Sequence, residues 1–329
     1  MLRRIARAVA LLLVVAVAAA AFFLGRAHLQ VRREAAPLPT LAAIVVEAGG
    51  KAATDDVPVR LSVINTASQA MPRSAVLDAG RDPHHDQPYM MSHPSFVLEW
   101  QDGRILLVDV GMTQEGARAF GKPLEWLGGA DPMVPHGSTS ETLGTAAPRV
   151  AGIVFTHLHT DHVGGILELC QRLGSLRVPL TDAQAERTNY TTQPGRTLLA
   201  EASCVHLEPV RGGPLFPLPG FPGVFLIDAG GHTPGSQIVL AFVRGPDRTL
   251  RRYAFTGDIV NALDGITYDI PKPLLYRTLM VPESESRQAE LRGFLKRLHD
   301  EVGFELLVSH DQRAIEASGV PAWSARQTP

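Results

Sequence analysis

Thr156-His157-Leu158-His159-Thr160-Asp161-His162-Val163-Gly164-Gly165 decides how this chain is read. The stretch follows Val150-Ala-Gly-Ile-Val-Phe155, an apolar run of strand length. In an extended chain side chains alternate with period two, so His157 and His159 point to the same side. Asp161 and His162 fall where the chain turns into a helix that starts near Val163. Three imidazoles and one carboxylate therefore converge within six residues. Neutral imidazole and carboxylate are ligands for zinc, and also for iron or manganese.

Other strand ends carry similar residues. Gly231-His232-Thr-Pro234-Gly235-Ser236 follows the apolar run at 224–227, and its Gly and Pro fix a tight turn that holds one histidine. Phe255-Thr256-Gly257-Asp258 ends a strand in a carboxylate, and Val308-Ser309-His310-Asp311 ends another in a histidine. Leu106-Leu-Val-Asp109-Val-Gly111 ends a third. Asp109 reads as a structural partner that orients a ligand histidine. Five of the 12 histidines, at 157, 159, 162, 232 and 310, thus stand at strand ends followed by turns, and the joint pattern outweighs any single motif.

The order His157-x-His159-x-Asp161-His162, then His232, Asp258 and His310, resembles the metallo-β-lactamase superfamily over about residues 58–318. The resemblance implies an α+β fold, an αββα sandwich of two mixed β-sheets with helices on the outer faces. It also implies two divalent metal ions, zinc favoured over iron or manganese. One would take His157, His159 and His232. The other would take Asp161, His162 and His310, with Asp258 bridging both. The implied chemistry is hydrolysis through a metal-bridging hydroxide, with Asp161 and Asp258 steering the water and its proton. Ester, lactone, thioester and phosphodiester bonds, and β-lactams, all suit such a site; a small carboxylic ester or lactone is favoured. A non-enzymatic metal-binding protein is the rival from another class, and the complete ligand set argues against it. The pattern is similar to that of quorum-quenching lactonases, which usually carry a tyrosine shortly after the bridging Asp. Here Asn261 stands three residues after Asp258, and the next tyrosine is Tyr268.

Outside the motifs, Ser95-Phe-Val-Leu-Glu-Trp and Arg104-Ile-Leu-Leu-Val-Asp-Val flank an Asp102-Gly103 turn and predict a hairpin. Further strands are expected at 57–64, 224–228, 237–243 and 252–255. Helices are expected at 114–120, 163–173, 182–189 and 285–302, the last with Leu291, Phe294, Leu295 and Leu298 at helical spacing. Arg287, Arg292, Lys296 and Arg297 on that helix read as a solvated face. Residues 122–148 and 190–222 read as long loops. His84-His85-Asp86 reads as an exposed polar loop, with a substrate contact or third metal as the alternative. Tyr89, Met90, Met91 and Trp126 fit either an apolar cleft or ordinary core.

The N-terminus reads as an address. Arg3, Arg4 and Arg7 precede an uncharged run from Ala8 to Leu24, at the lower limit for spanning a bilayer. Residues 1–25 are expected to be a signal-anchor or signal peptide, 26–57 a stalk, 58–318 the catalytic domain and 319–329 a tail. The body would then be membrane-anchored or exported to the periplasm, and Cys170 and Cys204 would be either a disulfide or two buried thiols. The formal charge of −2 hides an asymmetry. Residues 1–33 hold six arginines and no acid, which leaves 25 basic against 33 acidic residues, a net of −8. So acidic a body is no surface for a phosphate backbone, and the expected partner is a small molecule rather than nucleic acid.

Overall fold

Strands form where branched and aromatic residues cluster, and they stop at Gly, Pro or Asp. The computed structural model describes residues 1–32, 36–54 and 56–324. In chain order the strands are β1 (Arg60–Pro72), β2 (Pro88–Glu99), β3 (Ile105–Val108), β4 (Val134–Pro135), β5 (Val150–Val154), β6 (Leu176–Thr181), β7 (Val205–Val210), β8 (Phe216–Pro217), β9 (Val224–Asp228), β10 (Gln237–Arg244), β11 (Leu250–Gly257) and β12 (Glu305–Val308). They make a seven-stranded sheet in the order β4-β1-β2-β3-β5-β6-β7 and a five-stranded sheet in the order β12-β11-β10-β9-β8. Both are mixed: β1–β2–β3 and β9–β10–β11 pair antiparallel, whereas β3–β5–β6–β7 and β11–β12 pair parallel. The expected hairpin is β2–β3, with Phe96 opposite Val108 and Gly103 at φ +89° in the turn.

The period-two alternation sorts the core. Phe96, Leu98, Leu106 and Val108 face Leu226, Val239, Phe255 and Leu307 between the sheets. Their neighbours Val97, Ile105 and Leu107 face outward, under Ile166, Leu169 and Leu199. On the other sheet Ile227, Ile238 and Leu240 lie under Leu291, Phe294, Leu295 and Leu298 of the helix Glu285–Val302. Each fully buried side chain of this size contributes ~1.5–3 kcal/mol relative to exposure. The result is the αββα sandwich.

Several expectations need correction. Residues 41–54 are no free stalk. They form consecutive helical stretches, Leu41–Ala43, Ile44–Gly49 and Gly50–Thr54. Ile44, Ala48 and Ala52 recur every fourth residue, so they share one face, and that face is buried with Phe225 and Phe242. The chain after residue 318 is docked too: Trp323 is buried, its backbone N–H donates to Val63 O at 2.8 Å, and Val63 N–H donates to Pro321 O at 3.0 Å. Residues 325–329 of the expected tail lie outside the described residues. The loop at 122–148 holds the end of the helix Gln114–Gly128 and the helix Thr139–Leu143. That at 190–222 holds the helix Gln193–Glu201 and strands β7 and β8. The helix expected at 163–173 is two short pieces, Thr160–Val163 and Ile166–Cys170, parted by Gly164 and Gly165. Arg287 and Arg292 are buried, not solvated. Arg287 Nε donates to Ala229 O at 2.8 Å, and Arg292 pairs with Asp269 at 2.7 Å and Glu285 at 2.9 Å. Cys170 and Cys204 form a disulfide.

The N-terminal helix, Leu2–Arg32, includes a stretch long and apolar enough to cross a membrane, with mean hydropathy 2.8 and no part of that window buried. Its final turns differ: Ala27 and Val31 are buried against the body.

Candidate metal centre

The strand ends meet at one edge of the sandwich. After β5 the chain bends at Thr156, is extended at His159 and then enters the turn Thr160–Val163, which carries Asp161 and His162. The β9–β10 turn brings His232, the end of β11 brings Asp258, and the end of β12 brings His310. Gly257 has φ +52°, and a Cβ there would lie 2.8 Å from Thr156 Cβ. Glycine at this point lets the end of one sheet close onto the other.

All seven residues singled out from the sequence are brought together, and all are buried. They fall into two clusters, His157-His159-His232-Asp258 and Asp161-His162-Asp258-His310. The candidate ligand atoms of each lie within 4.8 Å of one another, and Asp258 is common to both. His162 Nε2 is 3.2 Å from Asp258 Oδ1, and His310 Nε2 is 3.0 Å from Oδ2. His157 and His232 approach the same Oδ2 at 3.7 and 3.6 Å.

These residues fit a metal pair. Among the described residues, Nε2 of His157, His159, His162 and His232 is buried with no hydrogen-bond partner, as is Asp258 Oδ1. Buried polar atoms are normally satisfied, and an orphan costs about 1–3 kcal/mol. Five orphans gathered in two adjoining clusters are what a ligand set looks like. The opposite ring nitrogens are held from behind. His162 Nδ1 is 2.8 Å from Asp109 Oδ2, His232 Nδ1 is 2.6 Å from Glu283 Oε1, and His310 Nδ1 is 2.8 Å from Ser92 O. Such contacts fix the tautomer and turn Nε2 inward. Asp109 also accepts from Thr156 N–H and Oγ1–H, each at 2.8 Å, and it adopts φ +60°, a strained conformation for a residue with a side chain. The orienting role expected of Asp109 agrees with this geometry.

Burial and mutual repulsion push the imidazoles of the first cluster toward neutrality. His157 is well below the usual histidine range through burial and then the His162 charge, and His159 is pushed down to about 3 by burial and then by His232. Burial works against charge on His162 as well, but Asp109, Asp161 and Asp258 together outweigh it and hold that ring well above the usual range. Burial would raise Asp258; the surrounding His310, His157 and His162 reverse this and keep it well below the usual carboxylate range. Neutral rings and ionised carboxylates are the metal-binding forms.

Four residues of the site were not found in the sequence. Buried His93, on β2, places Nδ1 3.3 Å from Asp161 Oδ2. Glu283 backs His232. Buried Lys272 puts Nζ 2.6 Å from the same Glu283 oxygen and 3.3 Å from His232 Nδ1, and also donates to Asp258 O. Tyr276 has its ring centroid 5.3 Å from Lys272 Nζ and its phenol beside the Asn261 side chain. The only sequence signal was weak: Lys272 sits between Pro271 and Pro273. The candidates away from the centre resolve otherwise. Tyr89 and Met91 are core, the Tyr89 hydroxyl donating toward Asn261 O (2.5 Å) and His310 O (2.6 Å); Met90 and Trp126 are exposed. His84 pairs with Asp264 at 3.0 Å, but Arg73 already bonds both Asp82 and Asp264, so that acidic cluster has its cation. His85 Nδ1 lies 3.2 Å from Asp82 O, and Asp86 is exposed.

Residues 90–302 match the family model described as the metallo-beta-lactamase superfamily. The chain belongs to that superfamily. No curated protein matches it in sequence. Similar solved structures include an N-acyl homoserine lactone hydrolase with N-hexanoyl-L-homoserine bound at its catalytic metal center, at 16% identity and TM-score 0.58 over 79% of this chain and 96% of that one. A quorum-quenching N-acyl homoserine lactone lactonase gives 16% and 0.59 over 80% and 97%. A probable metal-dependent hydrolase from Staphylococcus aureus gives 13% and 0.52 over 78% and 91%. At such identities the likeness is one of fold. The seven residues singled out from the motifs lie together in the two clusters at this site.

Proposed function

We propose that this superfamily member is a dinuclear metal-dependent hydrolase of a small carboxylic ester or lactone, held at a membrane by its N-terminal helix. The observation that carries the reading is the pair of clusters joined through Asp258, with four orphaned imidazole nitrogens turned inward. His157, His159 and His232 would hold one metal ion, zinc favoured, and Asp161, His162 and His310 the other, with Asp258 shared between the two clusters. When bound, such a pair supplies Lewis acidity and makes water acidic enough to act as a nucleophile at neutral pH.

The chain supplies the rest. Asp161 or Asp258 would orient the attacking water and take its one proton, for return to the leaving oxygen. Tyr276 is the residue proposed for the role of a tyrosine just after Asp258: it comes from a separate segment, its ring stacks under Lys272 Nζ, its phenol meets the Asn261 side chain, and burial foremost keeps it protonated. A neutral phenol can donate to the substrate carbonyl as charge builds there. The exported location is supported by the apolar helix and by the Cys170–Cys204 disulfide, which persists in oxidising compartments.

The test is proton release in a pH-stat with zinc-loaded full-length protein and an acyl-homoserine lactone, using Asp258→Ala as the blank. Ring opening releases one proton, so turnover absent from the blank supports the lactone. Silence from protein holding two zinc ions removes the lactone and leaves esters, thioesters, phosphodiesters and β-lactams to be assayed. Tyr276→Phe is expected to lower kcat ~100-fold with metal content unchanged; an unchanged kcat removes Tyr276 from the reaction.

A further inference from the structure

One segment of the body, residues 271–284, does two things at once. Its ends are fastened to the metal centre: Lys272 and Glu283 meet at His232 Nδ1, and Ser284 N–H donates to Gly231 O at 2.8 Å. Its middle faces outward with apolar side chains. Leu274 is 60% exposed, Leu275 69%, Leu279 56% and Met280 48%. Four large apolar side chains within seven residues make a patch that a water-facing surface seldom carries.

The N-terminal helix ends on this patch. His28 Nε2 lies 3.0 Å from Thr278 O, and Gln30 Nε2 donates to Thr188 O at 3.3 Å. Tyr190, itself half-exposed, reaches Leu279 O and Met280 O at 3.2 and 3.3 Å. The helix is continuous from Leu2 to Arg32, so its rise measures the distance to the membrane. The apolar run ends at Leu24, and His28 is four residues later, about 6 Å along the axis. The headgroup layer on each side of the hydrocarbon is roughly 5–7 Å deep. Thr278 therefore sits at headgroup depth. Arg26 and Arg32 flank the junction, and both suit anionic headgroups.

We infer that Leu274, Leu275, Leu279 and Met280 lie in the bilayer interface, so that the segment framing the metal centre is in direct contact with lipid. The inference rests on the membrane reading of the N-terminal helix. The occupant of the patch is a lipid surface rather than a second protein because the helix that leaves the patch enters the bilayer after about one turn.

The experiment uses full-length protein in phosphatidylcholine–phosphatidylglycerol vesicles, with an environment-sensitive bimane at Leu279→Cys or Leu275→Cys and a control label at Gln101→Cys. Gln101 is exposed at the turn joining β2 and β3, at the opposite end of those strands from Asp109. Lipids carrying a nitroxide at shallow depth are expected to quench most of the emission at 275 and 279 and none at 101. Vesicle-bound protein with unquenched labels at 275 and 279 overturns the interface while leaving the anchor. A blue-shifted but unquenched label means that protein, not lipid, covers the patch, and also overturns it. Protein that does not float with the vesicles overturns both the interface and the anchor. None of these readouts depends on hydrolysis.

Discussion

His162 and His232 are each held by a buried carboxylate, but the two carboxylates keep different company. Asp109 receives His162 Nδ1 at 2.8 Å, and its other contacts are neutral donors from Thr156. Glu283 receives His232 Nδ1 at 2.6 Å on the same oxygen that pairs with Lys272 Nζ at 2.6 Å. The two rings respond in opposite directions. His162 is held well above its ordinary range, the carboxylates outweighing burial, whereas His232 is pushed down, by burial first and the Lys272 charge second. A carboxylate behind an imidazole makes it a better metal donor. On the proposed assignment the two metal positions would therefore be unequal: one would have behind its histidine a carboxylate otherwise met by neutral donors, with Asp161 as a second anionic ligand, and the other three imidazoles and a damped carboxylate.

The variant with the largest expected effect removes what the two halves share. Asp258→Ala leaves three ligands in each cluster and takes away a negative charge that His157, His162 and His310 all face. Activity is expected to fall at least ~100-fold, more than the loss of an outer partner, and metal content to drop below two per chain by atomic emission. Wild-type turnover with two metals bound would show that the clusters do not depend on a common ligand.

Asp109→Asn separates the halves. The amide keeps the shape but cannot accept from His162 and Thr156 Oγ1 through the same oxygen in the same way. Affinity for the metal at His162 should weaken ~10–100-fold while the other position stays filled. Titration with a chelator is expected to release one metal early and one late. Simultaneous release of both would break the comparison, because the halves would then be one unit.

What was legible in the sequence follows a different division. The part built on β5 is local: strand, turn and four candidate ligands, shared between the two clusters, lie within a few residues, and period two aligns the first two. His232, Asp258 and His310 were legible because each ends a strand. Glu283, Lys272 and Tyr276 were not, because they lie in a segment without a period, and their value comes from meeting residues 40 or more positions away, or across a bend. Buried charges hide in the same manner. Arg287 and Arg292 look like any solvated helical face until Ala229, Asp269 and Glu285 are found against them. The packed stretch 41–54 did carry a signal, the four-residue recurrence of Ile44, Ala48 and Ala52, but alanine gives that recurrence little contrast against its surroundings.

The smallest effect on metal binding, and the sharpest test, comes from Lys272. If Lys272 damps Glu283, then Lys272→Met returns the full carboxylate to His232, and affinity for the metal at His157, His159 and His232 should rise, by less than ~10-fold. Glu283→Gln should lower it by a similar factor. Opposite signs from two adjacent removals are the signature of charge acting through His232; a merely structural pair would lose affinity both ways. Stability moves differently. Either single change leaves a buried charge without its partner, at a cost of about 3–5 kcal/mol, whereas Lys272→Met with Glu283→Gln removes both charges and should recover most of the loss. Metal titration and denaturant unfolding of the three variants therefore give two independent patterns. The affinities should order as Lys272→Met, wild type, Glu283→Gln, and the stabilities should place the double variant above both singles. If the double variant unfolds as readily as the singles, Lys272 serves His232 through the backbone it holds at Asp258 O, not through Glu283.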